Sequence, residues 1–295
     1  MSAQNVASIA GPIPARGSAT WLWISILAVL LAAVGSVIAL AVQRIYAPLT
    51  PAFFPQALAQ DTANLALVAP AWLILAALAL RGSLRAYLLW LGVLVFTVYN
   101  YVIYTFSVPF GPLFPLWVAV FGLSIYSLIG GIAAADHRAV QASYTGGRAT
   151  KVIAWALILT AILFAFLWLS EDVPALLSGS TPQSLIDMAI PTNPVHILDL
   201  AFFLPGAFAV GVLLLKRRPL AYTLAPALVV FVILTGIPIL ITPFIQSARG
   251  MPAGWAVVPP IGVLTVIQLG LLAWLVSTIR SQGEGRAGVP EQKGG

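Results

Sequence analysis

Eight long apolar runs are the feature that most limits what this chain can fold into. Each run is about 20 residues long, which is the length of helix that crosses the hydrocarbon core of a bilayer. A transmembrane β-barrel would show short stretches of alternating polarity instead. The sequence therefore predicts an all-α polytopic transmembrane bundle of eight spans. The predicted spans are 20–42, 62–80, 86–107, 113–135, 152–170, 196–215, 220–244 and 257–279.

The composition leads to the same conclusion. Of the 295 residues, 61% are hydrophobic and 7% are charged, whereas soluble domains carry roughly 25% charged residues. A soluble fold of this length could not bury so much apolar surface, so we expect the lipid bilayer to be the main partner. The formal charge of +6 lies in short loops and indicates membrane orientation, so we predict no nucleic-acid partner. The chain has no cysteine, which excludes disulfides and thiolate catalysis.

The first apolar run could be mistaken for a secretory signal. It extends from Thr20 to Val42, which is longer than the ~7–15 apolar residues of a signal peptide. We interpret it as an uncleaved first span.

Basic residues in the loops predict the orientation. With the N-terminus inside, twelve Lys and Arg residues are cytoplasmic and two are external, which favours a cytoplasmic position for both termini. The predicted external cations are Arg44 and Arg249. The predicted cytoplasmic cations are Arg16, Arg81, Arg85, Arg138, Arg148, Lys151, Lys216, Arg217, Arg218, Arg280, Arg286 and Lys293.

A weak internal repeat divides the chain into two halves. Shifted by 135 residues, 61–96 matches 196–231 at ten of 36 positions, including Pro70 with Pro205. The repeated spans cross in the same direction, so we predict a parallel arrangement of four plus four spans, as found in some transporters. Two unrelated hairpins of similar composition remain an alternative. We predict a cytoplasmic tail at 1–19, halves at 20–135 and 152–279, a flexible cytoplasmic linker at 136–151, and a disordered cytoplasmic tail at 280–295.

Polar residues enter the predicted spans mainly at their outer ends. Because such residues are costly in lipid, they often mark function or pairing. We predict one polar pocket near the outer surface. Its candidate ligand-binding residues are Asp61, Asn64, Tyr99, Asn100, Tyr104, His196 and Asp199. The alternatives are helix capping for the aspartates, interhelical bonding for Asn100 and an interfacial aromatic belt for the tyrosines.

Signatures of catalysis are missing from the sequence. A lone histidine near carboxylates is a weak metal signature, and we expect neither a metal nor another cofactor. No Walker A sequence, HExxH motif or Gly-x-Ser-x-Gly elbow is present. We therefore favour a role other than catalysis.

Three stretches resemble a widespread group of bacterial multi-pass membrane proteins to which no activity is assigned. They are 60–61, 99–114 and 196–219, which include the motifs YNYVIY, FGPLF and HILDL. The resemblance extends from about 20 to 245 and implies a bacterial cytoplasmic membrane. Its motif residues coincide with the polar pocket predicted above.

Three functions are compatible with this pattern. We favour a carrier or binding protein for a small molecule or ion. The alternatives are an intramembrane or lipid-modifying enzyme that uses His196, Asp199 and Asp61, and an accessory membrane subunit without chemistry.

Overall fold

Eight long helices form the part of the molecule that the structure describes. The computed structural model describes residues 15–280, and their side chains from Gly17 onward. Within these residues the chain is an all-α bundle whose helices are long and apolar enough to cross a membrane. The helices are α1 (Ala15–Ala41), α2 (Phe54–Leu80), α3 (Leu84–Ser107), α4 (Phe114–Ala134), α5 (Gly147–Ser178), α6 (Pro194–Leu215), α7 (Pro219–Ala248) and α8 (Trp255–Ser277).

Two helices exceed the predicted spans by eight residues or more. Helix α2 begins at Phe54 rather than at 62, and α5 runs from Gly147 to Ser178 rather than from 152 to 170. Pro55 lies in the first turn of α2, where its missing N–H has no helical partner to lose. Pro174 lies inside α5 without ending it. Both prolines lie outside the predicted spans but inside helices.

The two halves repeat at the level of the backbone. Helix α2 contains a π-helical turn at Asn64–Val68, and α6 contains one at Asp199–Phe203, 135 residues later. The turns that end these two helices also correspond, because Gly82 and Arg217 both have positive φ, at 90° and 54°. Equivalent positions therefore adopt equivalent conformations, including the rare π turn.

Helices α3 and α7 meet at the centre of the molecule. A Cβ built on Gly92 of α3 would lie 2.7 Å from the carbonyl oxygen of Ala227 in α7. Residues 92 and 227 are also equivalent in the repeat. The contact between the halves therefore runs through matching positions, as expected for a pseudo-two-fold axis between α3 and α7.

The loops divide between the two ends of the bundle. We call the end that carries 42–53, 108–113, 179–193 and 249–254 the distal end, and the opposite end the proximal end. Between residues 17 and 280, nine Lys and Arg residues lie at the proximal end, whereas Arg44 and Arg249 lie at the distal end. The surface between the ends exposes large apolar side chains such as Leu159, Leu163 and Phe202, as expected for contact with lipid.

The predicted linker is more ordered than a flexible joint. Residues His137–Ala142 form a short helix, and α5 begins at Gly147. The segment between them is attached to the end of α8, because the Thr145 amide donates to the Thr278 carbonyl at 2.8 Å. Arg85 also donates to the Ile279 carbonyl. Most of the predicted tails at 1–19 and 280–295 lies outside the described residues.

Candidate functional site

Six of the seven predicted site residues separate into two groups by their side-chain partners, and Asn100 belongs to neither group. Asp61 and Tyr104 belong to one group, which we call the first-half site. His196 and Asp199 belong to another, the second-half site, with Tyr99 beside them. The single pocket expected from the sequence is thus two polar clusters, both towards the distal end. They separate because Tyr99 and Tyr104 of α3 face different neighbouring helices.

Asp61 is the centre of the first-half site. It lies in α2, just before the π turn, and is 3% exposed. Its Oδ1 accepts hydrogen bonds from Ser36 Oγ at 2.7 Å and Tyr104 Oη at 3.0 Å. Its Oδ2 accepts one from Tyr46 Oη at 2.7 Å. Three hydroxyl groups from three different segments of the chain therefore converge on one buried carboxylate.

Tyr46 is a site residue that the sequence did not indicate. It lies in a short 3₁₀ helix, Gln43–Tyr46, and is completely buried. Burial, and then the nearby charge of Asp61, raise the pKa of Tyr46 far above its usual value. Its hydroxyl therefore stays protonated and remains a donor to Asp61. Ser36 was missed as well, because one serine in an apolar helix carries no distinctive signal.

Asn64 extends the first-half site along α2. Its Nδ2 donates to Ser36 Oγ at 3.4 Å, and its Oδ1 accepts from Gln60 Nε2 at 3.0 Å. Because Ser36 in turn donates to Asp61, a continuous hydrogen-bond chain joins the carboxylate to the first residue of the π turn. The side chain of Asn64 is buried, so this polar chain lies inside the protein.

Asn100 lies beside a small cavity between α1, α2 and α3. The cavity is also lined by Asn64, Thr97 and Trp72. The volume open to the centre of a water molecule is about 10 Å³, close to the minimum for one water. Asn100 Nδ2 is buried and has no hydrogen-bond partner within the protein. The cavity thus has an unused donor on its wall.

The second-half site is built where α5 and α6 meet. Trp168 Nε1 donates to Asp199 Oδ2 at 2.8 Å, and the Tyr99 side chain also interacts with Asp199. The Trp168 ring stacks on His196, with ring centroids 4.6 Å apart. Asp199 is 8% exposed. It is the first residue of the π turn in α6, so both halves place polar side chains at this irregularity.

His196 connects the second-half site to the distal surface. Its Nδ1 lies 3.0 and 3.1 Å from the two carboxylate oxygens of Asp172. Its Nε2 lies 3.8 Å from Glu171 Oε2. The Glu171 and Asp172 side chains are 34% and 27% exposed, whereas that of His196 is 6% exposed. A buried histidine thus contacts two acids that reach the surface.

The arrangement of Trp168, Glu171 and Asp172 depends on the added length of α5. The acidic pair was expected in a loop beyond residue 170, but it continues the helix at Gly147–Ser178. Residues 168, 171 and 172 therefore lie within about one helical turn and all reach α6. The sequence held no signal for this because the apolar run ends earlier than the helix does.

Neither buried aspartate is paired with lysine or arginine. Between residues 17 and 280, the salt bridges all involve His196. In the same part of the chain, no group of three His, Cys, Asp or Glu residues is arranged to hold a metal ion. The polar groups of the two sites are thus carboxylates, hydroxyls, amides, an indole N–H and one imidazole. Comparison with protein-family models, curated proteins and solved structures found no match to this chain.

Proposed function

We propose that this integral membrane protein binds and carries an ion or a small polar molecule at the distal ends of its two halves. The observation that carries the proposal is a buried carboxylate beside the π turn of each half. Asp61 precedes one π turn and Asp199 begins the other. Neither is neutralised by lysine or arginine.

The energetic argument starts from the cost of such groups. An aspartate at the centre of a transmembrane helix costs about 2.5–3.5 kcal/mol on insertion scales, and this is an upper limit for Asp61 and Asp199, which lie nearer the distal ends. A purely structural helix contact would be served by serine or threonine, which several spans of this chain already use. Two carboxylates in equivalent parts of a repeat are therefore better explained by a ligand that they bind.

The repeat supports carriage in addition to binding. In parallel-repeat transporters, two similar halves move against each other around sites formed by broken helices. Here the π turns interrupt α2 and α6 at the sites themselves, and the halves meet along α3 and α7. These features favour movement of a bound ligand over its permanent retention.

Uptake into proteoliposomes tests the proposal. The probes are radiolabelled sodium, potassium, amino acids and short carboxylic acids, each offered with and without a pH gradient. We expect one class to accumulate and Asp199→Asn to reduce its uptake at least tenfold. Asp187→Asn changes an exposed aspartate at the distal end and should leave uptake unchanged. If no probe is taken up and none stabilises the protein against heating, the proposal is overturned.

The orientation belongs to the same proposal. We propose that the protein resides in a bacterial cytoplasmic membrane, with the distal end outside and both termini in the cytoplasm. Because the chain has no cysteine, Ala142→Cys and Ser180→Cys provide single exposed reporters at the proximal and distal ends. An impermeant maleimide added to intact cells should label only position 180. Labelling of 142 alone would reverse the orientation.

A further inference from the structure

The hydrogen bonds around Asp61 are those expected of an ionised carboxylate. An ionised carboxylate only accepts hydrogen bonds, whereas a protonated one must also donate. Asp61 receives three hydroxyl donors at 2.7–3.0 Å. The arrangement therefore matches the ionised form, with both oxygens used as acceptors.

The charge of that form is not balanced by the surroundings. The ionisable side chains that face Asp61 are Tyr46 from the first distal loop and Tyr101 and Tyr104 from α3. Helix α1 contributes only the neutral Ser36, and α7 has one ionisable residue, Tyr222, near its proximal start. Of the two distal cations, Arg249 contacts Phe54 and Gln43, and neither Arg44 nor Arg249 forms a salt bridge with Asp61. A mobile positive charge would complete the site.

The space beside the carboxylate restricts what that charge can be. Ser36 joins Asp61 by hydrogen bonds to Asn64, which lines the cavity that also contacts Asn100. This cavity holds about one water molecule, which is too little for an organic cation or a hydrated metal ion. A proton needs no cavity, because it bonds directly to a carboxylate oxygen.

We propose that Asp61 is a reversible protonation site and that the proton is the ion bound in the first half. The inference rests on the proposed function and specifies the ligand at one of its sites. A proton from water at the distal side bonds to one oxygen of Asp61, which becomes a neutral carboxyl group. On release the same O–H bond breaks, the electron pair stays on the oxygen and the proton returns to water.

Ser36 is the residue that adapts to the change. A protonated Asp61 needs an acceptor for its new O–H group. Ser36 Oγ can accept it by turning its own hydrogen to a backbone carbonyl one turn earlier, as Thr62 does to Leu58 at 2.8 Å and Thr97 to Val93 at 2.9 Å. Protonation thus reverses one hydrogen bond and reaches Asn64, which donates to the same oxygen.

Infrared difference spectroscopy tests the proposal on the purified full-length protein. Raising the pH should remove the carbonyl-stretch band of a protonated carboxyl group, and lowering it should restore that band. The band should be lost in Asp61→Asn and retained in Asp187→Asn. In Ser36→Ala the band should shift to the frequency of a less hydrogen-bonded carboxyl group. This second variant retains Asp61 and keeps the test valid if Asp61→Asn does not fold.

Besides the absence of a titrating band, two results would overturn the inference. One is a titrating band that persists in Asp61→Asn and does not move in Ser36→Ala. The other is stabilisation of the protein against heating by sodium or potassium chloride that Asp61→Asn abolishes, since that result would assign a metal cation to the site. If uptake does not depend on a pH gradient and no band titrates, the assignment of a proton to Asp61 is refuted but carriage is not. A titrating band without uptake of any probe would refute carriage alone.

Discussion

Gly92 allows the contact between the two halves to be tested directly. A methyl group at this position would place its carbon 2.5 Å from Val230 Cβ and 2.7 Å from the Ala227 carbonyl oxygen. Comfortable contacts between carbon atoms lie at about 3.5–4.0 Å. Val230→Ala would not relieve the overlap, because Cβ remains and the other neighbour is backbone. Helices α3 and α7 must therefore separate by about 1 Å in Gly92→Ala.

The size of the effect follows from two opposing contributions. Overpacking of a tight contact destabilises a protein by about 1–3 kcal/mol or more. Replacement of glycine by alanine inside a helix stabilises the folded protein by at most about 1 kcal/mol through helix propensity. The matched control is Gly206→Ala in α6, where an added Cβ meets nothing within 4 Å. We expect Gly92→Ala to be less stable than this control by about 1–3 kcal/mol, because both variants gain the same helix propensity and only Gly92→Ala is overpacked.

Unfolding in mixed micelles by titration with a denaturing detergent, followed by circular dichroism, measures both variants. Association of membrane helices depends on close packing rather than on exclusion of water, so the penalty should appear in full. Equal unfolding free energies for the two variants would show that α3 and α7 do not meet closely at Gly92. That result would remove the pseudo-two-fold contact from the description of the fold.

Three further changes probe the sites and the proximal end. Tyr104→Phe should lower the unfolding free energy by about 1.5–3 kcal/mol, because it removes a hydrogen bond to a charged group. Tyr126→Phe on the exposed surface should change the unfolding free energy little. Equal effects of the two substitutions would contradict the hydrogen bonding described for the first-half site. Trp168→Phe keeps an aromatic ring but removes the donor to the second-half carboxylate, so it should destabilise by a similar amount, on the order of 2 kcal/mol, relative to Trp155→Phe at an exposed position of the same helix. Arg85→Met removes both guanidinium hydrogen bonds to the end of α8, and hydrogen exchange of the amides at 276–280 should accelerate; unchanged exchange would mean that this contact does not hold the helix end.

The eight spans could be predicted because hydropathy reports burial in lipid directly. The predicted span limits differ clearly from the helix limits in the structure at the starts of α2 and α5 and at the end of α5. There the helix continues beyond the apolar run. Hydropathy carries no information there, because a helix of polar residues at the interface resembles a loop. Pro55 and Pro174 lie in these extensions. Pro55 suits the first turn of its helix, and Pro174 is accommodated within its helix.

The repeat was visible because a few positions are restricted by the backbone. Pro70 and Pro205 follow the two π turns by the same number of residues, and the polar residues Asn64 and Asp199 begin them. A sequence comparison detects these matches but does not reveal the π turns, which arise when a helix takes in one extra residue. The conformation of the two interruptions could therefore be found only in the structure.

The partners of the site residues were harder to predict than the residues themselves. Buried carboxylates stand out in an apolar sequence because they are rare. Their donors do not, since one serine or tyrosine among many has no signature, and Tyr46 reaches Asp61 only because the first distal loop folds inward. For the same reason one pocket was expected where two sites exist: the sequence does not indicate which face of α3 each tyrosine occupies.

The two sites use one backbone in different ways. In the repeat, Asp61 corresponds to His196, and Asn64 corresponds to Asp199, so the carboxylate is displaced by about one helical turn between the halves. In the first half this places the acid beneath Tyr46, sealed from the distal surface. In the second half the equivalent place is taken by His196, whose neighbours Glu171 and Asp172 are partly exposed. The second-half site is therefore connected to distal water through two partly exposed acids, whereas Asp61 is 3% exposed beneath Tyr46. The two halves thus share a backbone but differ in the access of their carboxylates to water.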